Sequence, residues 1–216
     1  MNNNFNFYEI LTRICHSEKV LVMRIFIAVL VLTLSLQSFT KADDISDFEI
    51  EGISIGDSLL DYLSRAKIKK AQKKGLNYLD KFYNFWIPIE IKNKDLYERV
   101  SVVTKANSDY KIYAISASKK ITDNFNDCLK NKENIVKDIS ELLTTARKVE
   151  SEKKKHEADK NGKSFTYSTF FWIEKNYIEI ACYDMDENNP RNWFDELRVS
   201  INHEVFSNFL LEEFYK

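Results

Sequence analysis

Three groups of residues have the types and spacing that could do chemistry. The first is Gly56, Asp57, Ser58 and Leu59. A serine attacks an ester carbonyl when a histidine takes its proton and an acid orients that histidine. The chain has three histidines, His16, His156 and His203, so candidates for the base are few. The residues also have a local reading, in which Gly56 makes a turn and Asp57 caps a helix, and that reading is preferred. The second group is Asp184, Asp186, Asn188 and Asp195, at the first, third, fifth and twelfth positions of one stretch. Calcium loops place oxygen ligands at those positions, but they also have Gly at the sixth and Glu at the twelfth. Here the sixth is Asn189, the twelfth is Asp, and a strand pattern precedes the stretch. The preferred reading is an acidic surface loop leading to a short helix, with no metal assigned. His203-Glu204 lacks the second histidine of a zinc helix, because residue 207 is Ser. The third group is Cys128 and Cys182, the two cysteines outside the first 42 residues.

Gly56-Asp57-Ser58-Leu59 is the tetrapeptide that names the GDSL, or SGNH, esterases, and the motif resembles that family in its place near the start of the folded part. The resemblance implies an ester hydrolase with Ser58 as nucleophile, a His base and an orienting Asp. The family's Gly-x-Asn-Asp block is absent. No Asp stands three residues before a His: Arg13 precedes His16, Lys153 precedes His156 and Ser200 precedes His203. The repeated strand–helix alternation of a doubly wound sheet is also absent. A divergent ester hydrolase is therefore the alternative function.

Composition sets the frame for these groups. Hydrophobic residues make up 44% and charged residues 30%, which is a folding composition. With four glycines in the chain, a glycine-built phosphate loop is disfavoured and no cofactor is implied. Residues 25–36 form an apolar run preceded by Arg24 and followed by Thr40-Lys41-Ala42. The run is short for a bilayer span, which needs roughly twenty residues, and right for a signal-peptide core. Residues 1–42 thus read as a signal peptide cleaved before Asp43, and residues 1–22 as an over-extended start ahead of Met23. The competing reading is an uncleaved anchor. Cleavage removes Arg13, Lys19, Arg24 and Lys41 against Glu9 and Glu18, leaving 28 basic and 31 acidic side chains. That balance gives no case for nucleic acid, and no later segment is apolar enough to span a membrane.

Residues 43–216 read as one domain. A short strand lies before Gly52, a helix starts at Asp57 with Leu59, Leu60 and Leu63 on its apolar face, and the Lys-rich 66–75 is exposed. Pro88 makes 85–91 an edge strand or extended segment. A hairpin pairs 100–105 with 110–116. The clearest helix covers 124–148, with Phe125, Cys128, Leu129, Ile135, Val136 and Ile139 on one face. The charge run 150–163 reads as a solvated helix end and loop. A second hairpin pairs 164–173 with 177–183 around Glu174-Lys175-Asn176. Its alternation places Ser168, Phe170 and Trp172 with Ile178, Ile180 and Cys182 against the helices. Tyr167, Thr169 and Phe171 then share a half-wet face with Tyr177, Glu179, Ala181 and Tyr183. A helix start at Pro190, a strand over 197–201 and a final helix over 203–214 complete the pattern.

The fold class is therefore α+β, a mostly antiparallel sheet built from hairpins and packed against a long central helix and a C-terminal helix. Packing the long helix on the second hairpin brings Cys128 and Cys182 into one layer. A disulfide is the preferred reading, two separately buried thiols the other. The order, helix then strands repeated, resembles the tandem units of exported bacterial binding proteins such as the β-lactamase inhibitor protein and its outer-membrane relatives. The short strand before Gly-Asp-Ser-Leu resembles small exported bacterial proteins of unknown function, and that resemblance implies no activity. The expected function is an exported, periplasmic or secreted, non-catalytic domain that binds a protein or small ligand in the envelope. A structural envelope component is the third reading.

Overall fold

In chain order, the first paired element is a miniature ladder. Strands β1 (Glu49–Ile50) and β2 (Ile53–Ser54) pair across Glu51 and Gly52, which take φ of 56° and 75°. Both residues sit in the left-handed region that a two-residue hairpin turn requires. The computed structural model describes residues 44–92, 94–106, 109–122, 124–189 and 193–214. The leader expected at 1–42 and the helix start expected at Pro190 lie outside the described residues.

The helix expected at Asp57 does not form there. The Asp57 carboxylate turns back to accept the Ser54 amide at 2.9 Å, and Ser58 makes an isolated bridge to Lys111. These ties hold the segment extended, and it leads into one 3-10 turn, Leu59–Asp61. The first α-helix among the described residues is α1 (Arg65–Gln72), in the Lys-rich stretch, and of its residues Ile68 is buried.

Next in the chain is an antiparallel meander: β3 (Leu76–Tyr78), β4 (Phe82–Trp86), β5 (Arg99–Lys105) and β6 (Ile112–Lys120). Pro88 lies past the end of β4, where its missing amide costs the ladder nothing. Helix α2 (Phe125–Leu142) is capped by the Asn124 side chain, which accepts the Asn126 amide at 3.1 Å. It ends before the charge run. The second meander is β7 (Arg147–Lys155), β8 (Phe165–Ile173), β9 (Asn176–Asp184) and β10 (Glu196–Asn202). Helix α3 (Glu204–Phe209) runs into a π-helical turn, Leu210–Phe214.

The sheet order is β3-β4-β5-β6-β10-β9-β8-β7, antiparallel throughout. Each meander is preceded by a helix, and the two join through their last strands, β6 and β10. The protein is thus an α+β fold built on a mostly antiparallel sheet. The first part of the charge run read as helix end and loop, up to Lys155, is instead the edge strand β7, and 156–163 form a loop. An edge strand has a partner on one side only, and lysines there obstruct pairing with another chain.

One face of the sheet carries the main core. Helix α2 sets Ile135, Val136 and Ile139 in the same cluster as Phe171, Ile178 and Ile180. Among the described residues, the opposite face is covered at two corners. Phe206 and Phe209 of α3 pack on Phe82, Val103 and Ala114. Met185 and Trp193 pack on Ala181 and Tyr183.

The register of the second hairpin corrects the expected facing. Ile173 pairs with Asn176, so the turn has two residues, Glu174 and Lys175, with Glu174 at φ 56°. Phe171 therefore lies opposite Ile178, Thr169 opposite Ile180 and Tyr167 opposite Cys182. Ser168, Phe170 and Trp172 share the other face with Ala181, Glu179 and Tyr177. A one-residue change in turn length moves every side chain to the opposite face of its partner strand.

Candidate functional site

The Ser58 hydroxyl donates to the Asp109 carbonyl at 2.8 Å and accepts the Leu60 amide at 3.4 Å. It is a cap for the 3-10 turn, in the role expected of Asp57. His203 lies at the start of α3, where Nδ1 accepts the Val205 amide at 3.1 Å, and burial lowers its pKa. His156 packs against Tyr183 and Trp193, with ring centroids 5.9 and 5.0 Å away. Ser58→Ala is expected to cost about 1 kcal/mol of stability through the lost cap. Hydrolysis of p-nitrophenyl acetate should not change. Turnover that disappears with the hydroxyl would establish the esterase alternative.

The acidic stretch spends its oxygens on its own backbone. Asp186 Oδ1 accepts the Asn188 amide at 3.1 Å and Asp195 Oδ1 accepts the Met185 amide at 2.7 Å. Asn189 is buried and ties the Asp186 and Trp193 carbonyls together through Nδ2. Burial, and then Asp195, pushes the Asp184 carboxyl up. Among the described residues no three His, Cys, Asp or Glu side chains gather as a metal site.

Cys128 and Cys182 are joined, with sulfurs 2.09 Å and Cα atoms 6.0 Å apart. The bond ties α2 to β9 within the main core. Among the described residues no helix is long and apolar enough to cross a membrane.

The remaining candidate is the uncovered sheet face, which only the strand registers make visible. One row across it reads Trp86, Ser101, Ser116, Ser200, Glu179, Phe170 and Val149, from β4 to β7. Its centre is three serines, with the Ser116 hydroxyl donating to Ser200 Oγ at 2.9 Å. Around them stand aromatic rings and cations. The Arg99 guanidinium lies near both Trp86 and Phe194, 4.8 and 4.1 Å from the two ring centroids. Lys120 lies over Phe194 at 5.4 Å. At the other end Arg147 lies over Trp172 at 5.3 Å, and Trp172 meets Tyr177 at 4.9 Å.

The acids of this face are turned inward. Glu196 pairs with Arg198, whose guanidinium lies 4.3 Å over Tyr183. Glu179 accepts the Ser168 hydroxyl at 2.8 Å, and burial raises its pKa. What the face offers chemically is apolar ring surface, hydroxyls and stacked cations, with no activated nucleophile. Sequence reasoning faced β9 correctly, gave the β8 residues the opposite faces, and missed Trp86, Arg99 and Phe194. The signal for these three is weak, since they lie on separate elements that only the sheet order brings together.

Elsewhere a cleft of about 550 Å³ opens between the β3–β4 turn and α3, lined by Asp80, Lys81, Lys105, Phe209 and Glu212. Its walls carry both signs of charge, and Lys81 pairs with Glu213. No protein-family model, curated protein or solved structure matches this chain.

Proposed function

We propose that this chain is an exported, non-catalytic binding domain of the cell envelope whose partner seats on the uncovered face of the sheet. The observation that carries this reading is two groups of rings on that face, Trp86 with Phe194 at one end and Phe170, Trp172 and Tyr177 at the other. Trp86 is 58% exposed, and the three other rings with assigned strand positions are half-buried. Singly exposed aromatics are normal, but several on one face interleaved with arginines match the composition of binding surfaces. Export is supported by the apolar run at 25–36, by the small residues Thr40 and Ala42, and by the Cys128–Cys182 bond, which persists in oxidising compartments.

Two measurements test the reading. N-terminal sequencing of natively expressed protein is expected to begin at or near Asp43. Recovery of the intact leader in soluble cytoplasm ends the export proposal. Chemical cross-linking in envelope extract should give an adduct that disappears in Trp86→Ala/Trp172→Ala, with the unfolding midpoint unchanged. An adduct indifferent to both tryptophans removes the sheet face from the reading.

A further inference from the structure

We infer that the occupant of the uncovered face is an acidic polypeptide segment, one that presents Asp or Glu beside apolar or aromatic side chains. The inference rests on the reading of this face as the binding surface and names the chemistry that fits it.

The floor of the face is a trough. The row from Trp86 through Ser101, Ser116 and Ser200 to Phe170 runs between the two covered corners. On one side Phe206 and Phe209 of α3 cover the row of Val103 and Ala114. On the other side Met185 and Trp193 cover Ala181 and Tyr183. Small side chains in the middle and rings at both ends shape the trough across the sheet. From β5 to β7 it crosses five strand spacings, about 24 Å. An extended segment of roughly seven residues covers that length.

The charge of the trough is positive at both ends. Arg99 stands toward one end and Arg147 toward the other, with Lys120 beside the trough in the row of Tyr183. The carboxylates on the same face, Glu179 and Glu196, are engaged by Ser168 and Arg198. Among the described residues Lys120 and Arg147 have no carboxylate partner, and Arg99 has only Glu98, at 3.9 Å. The accessible charge is therefore cationic, although the chain as a whole carries −1. A guanidinium beside aromatic rings keeps its N–H donors, which can take a carboxylate on two parallel hydrogen bonds.

The spacing selects a polypeptide over a polyanion. Duplex nucleic acid carries a charge about every 1.7 Å, and a ligand of that density needs a continuous cationic track. Here the cations lie toward two ends with neutral serines between them, and half-buried Glu179 lies in the row itself. Rings flanking each cation take apolar side chains, which a polypeptide supplies alongside its carboxylates.

The test is panning of a random dodecapeptide phage library on the purified, oxidised protein. Enriched sequences are then made as synthetic peptides and titrated by tryptophan fluorescence. Enriched peptides are expected to carry Asp or Glu next to aromatic or aliphatic residues. Arg99→Ala and Arg147→Ala should each weaken them about tenfold, more at low salt than at high. Lys67→Ala, exposed on α1 over the helix-covered face, should leave affinity and unfolding midpoint unchanged. Neutral or basic peptides that still depend on Trp172 would overturn the acidic partner and leave the binding face standing. Peptides that ignore both Trp86→Ala and Trp172→Ala, or a library that yields no enrichment, would overturn both. Heparin that binds more tightly than every enriched peptide would overturn the choice of a polypeptide.

Discussion

Replacing Cys128 and Cys182 together by alanine is expected to lower the free energy of unfolding by about 4 kcal/mol. The two residues are 54 apart in sequence, and the loop they close holds most of α2, all of β7 and β8, and most of β9. In the chain-entropy treatment, the cross-link removes the freedom of that loop from the unfolded chain, and the cost of losing it grows with the logarithm of loop length. Both side chains are fully buried, so the substitutions also remove packed sulfur. For a domain of this size the unfolding midpoint should fall by about 8–16 °C, taking roughly 2–4 °C per kcal/mol. Urea unfolding of oxidised protein, with and without reductant, measures the same quantity without mutation. Thiol titration of denatured, unreduced protein should find no sulfhydryl at these two positions. A midpoint that reductant leaves in place would show that the bond contributes nothing.

The parts of the fold that were legible in the sequence are those whose side chains carry a periodic apolar signal. Helix α2 announces itself through Cys128, Ile135, Val136 and Ile139, all buried at three-and-four spacing. Strands β5, β6, β8, β9 and β10 carry β-branched and aromatic residues, and their hairpins are implied by that pattern. The pairing of Cys128 with Cys182 rests on those two assignments, because both sulfurs fall on apolar faces that must meet.

The illegible parts depend on the sheet as a whole. Strand β7 contains Lys148, Glu150, Glu152 and Lys153–Lys155 in a run with no apolar alternation, and only its bonds to β8 make it a strand. The segment after Gly56 has a helix-start composition, yet Asp57 is drawn back to Ser54 and Ser58 to Asp109. The local bond to Ser54 and the long-range tie to Asp109 together override a helix-start propensity worth about 1 kcal/mol. The candidate site was the least legible part. Trp86 is preceded by Phe85, which is buried, and only the pairing of Phe85 with Val102 decides which ring faces out. Arg99 and Phe194 meet because β10 lies beside β6, a consequence of sheet order that no local pattern carries.

The neighbours Phe170 and Phe171 should respond oppositely to truncation, and this contrast tests the register on which the site depends. Phe171 is 1% exposed and lies opposite Ile178 on the helix-covered face. Phe171→Ala opens a cavity there and is expected to cost about 3–5 kcal/mol, a large share of the stability of a domain this size. Phe170 is half-buried, lies opposite Glu179 and meets the Tyr177 ring at 5.6 Å on the uncovered face. Phe170→Ala loses one edge-to-face contact and some area that water already reaches, so its cost should stay within about 1.5 kcal/mol. Binding of the peptides enriched by panning should show the reverse order. Phe170→Ala should weaken it, while Phe171→Ala at a temperature where it remains folded should bind as the parent does. The reason for the contrast is the two-residue turn at Glu174 and Lys175, since one more residue there would put Phe170 opposite Ile180 and Phe171 opposite Glu179. Urea midpoints for the two variants decide the matter. If Phe170→Ala proves the more damaging, the hairpin has the other register and the aromatic trough does not exist.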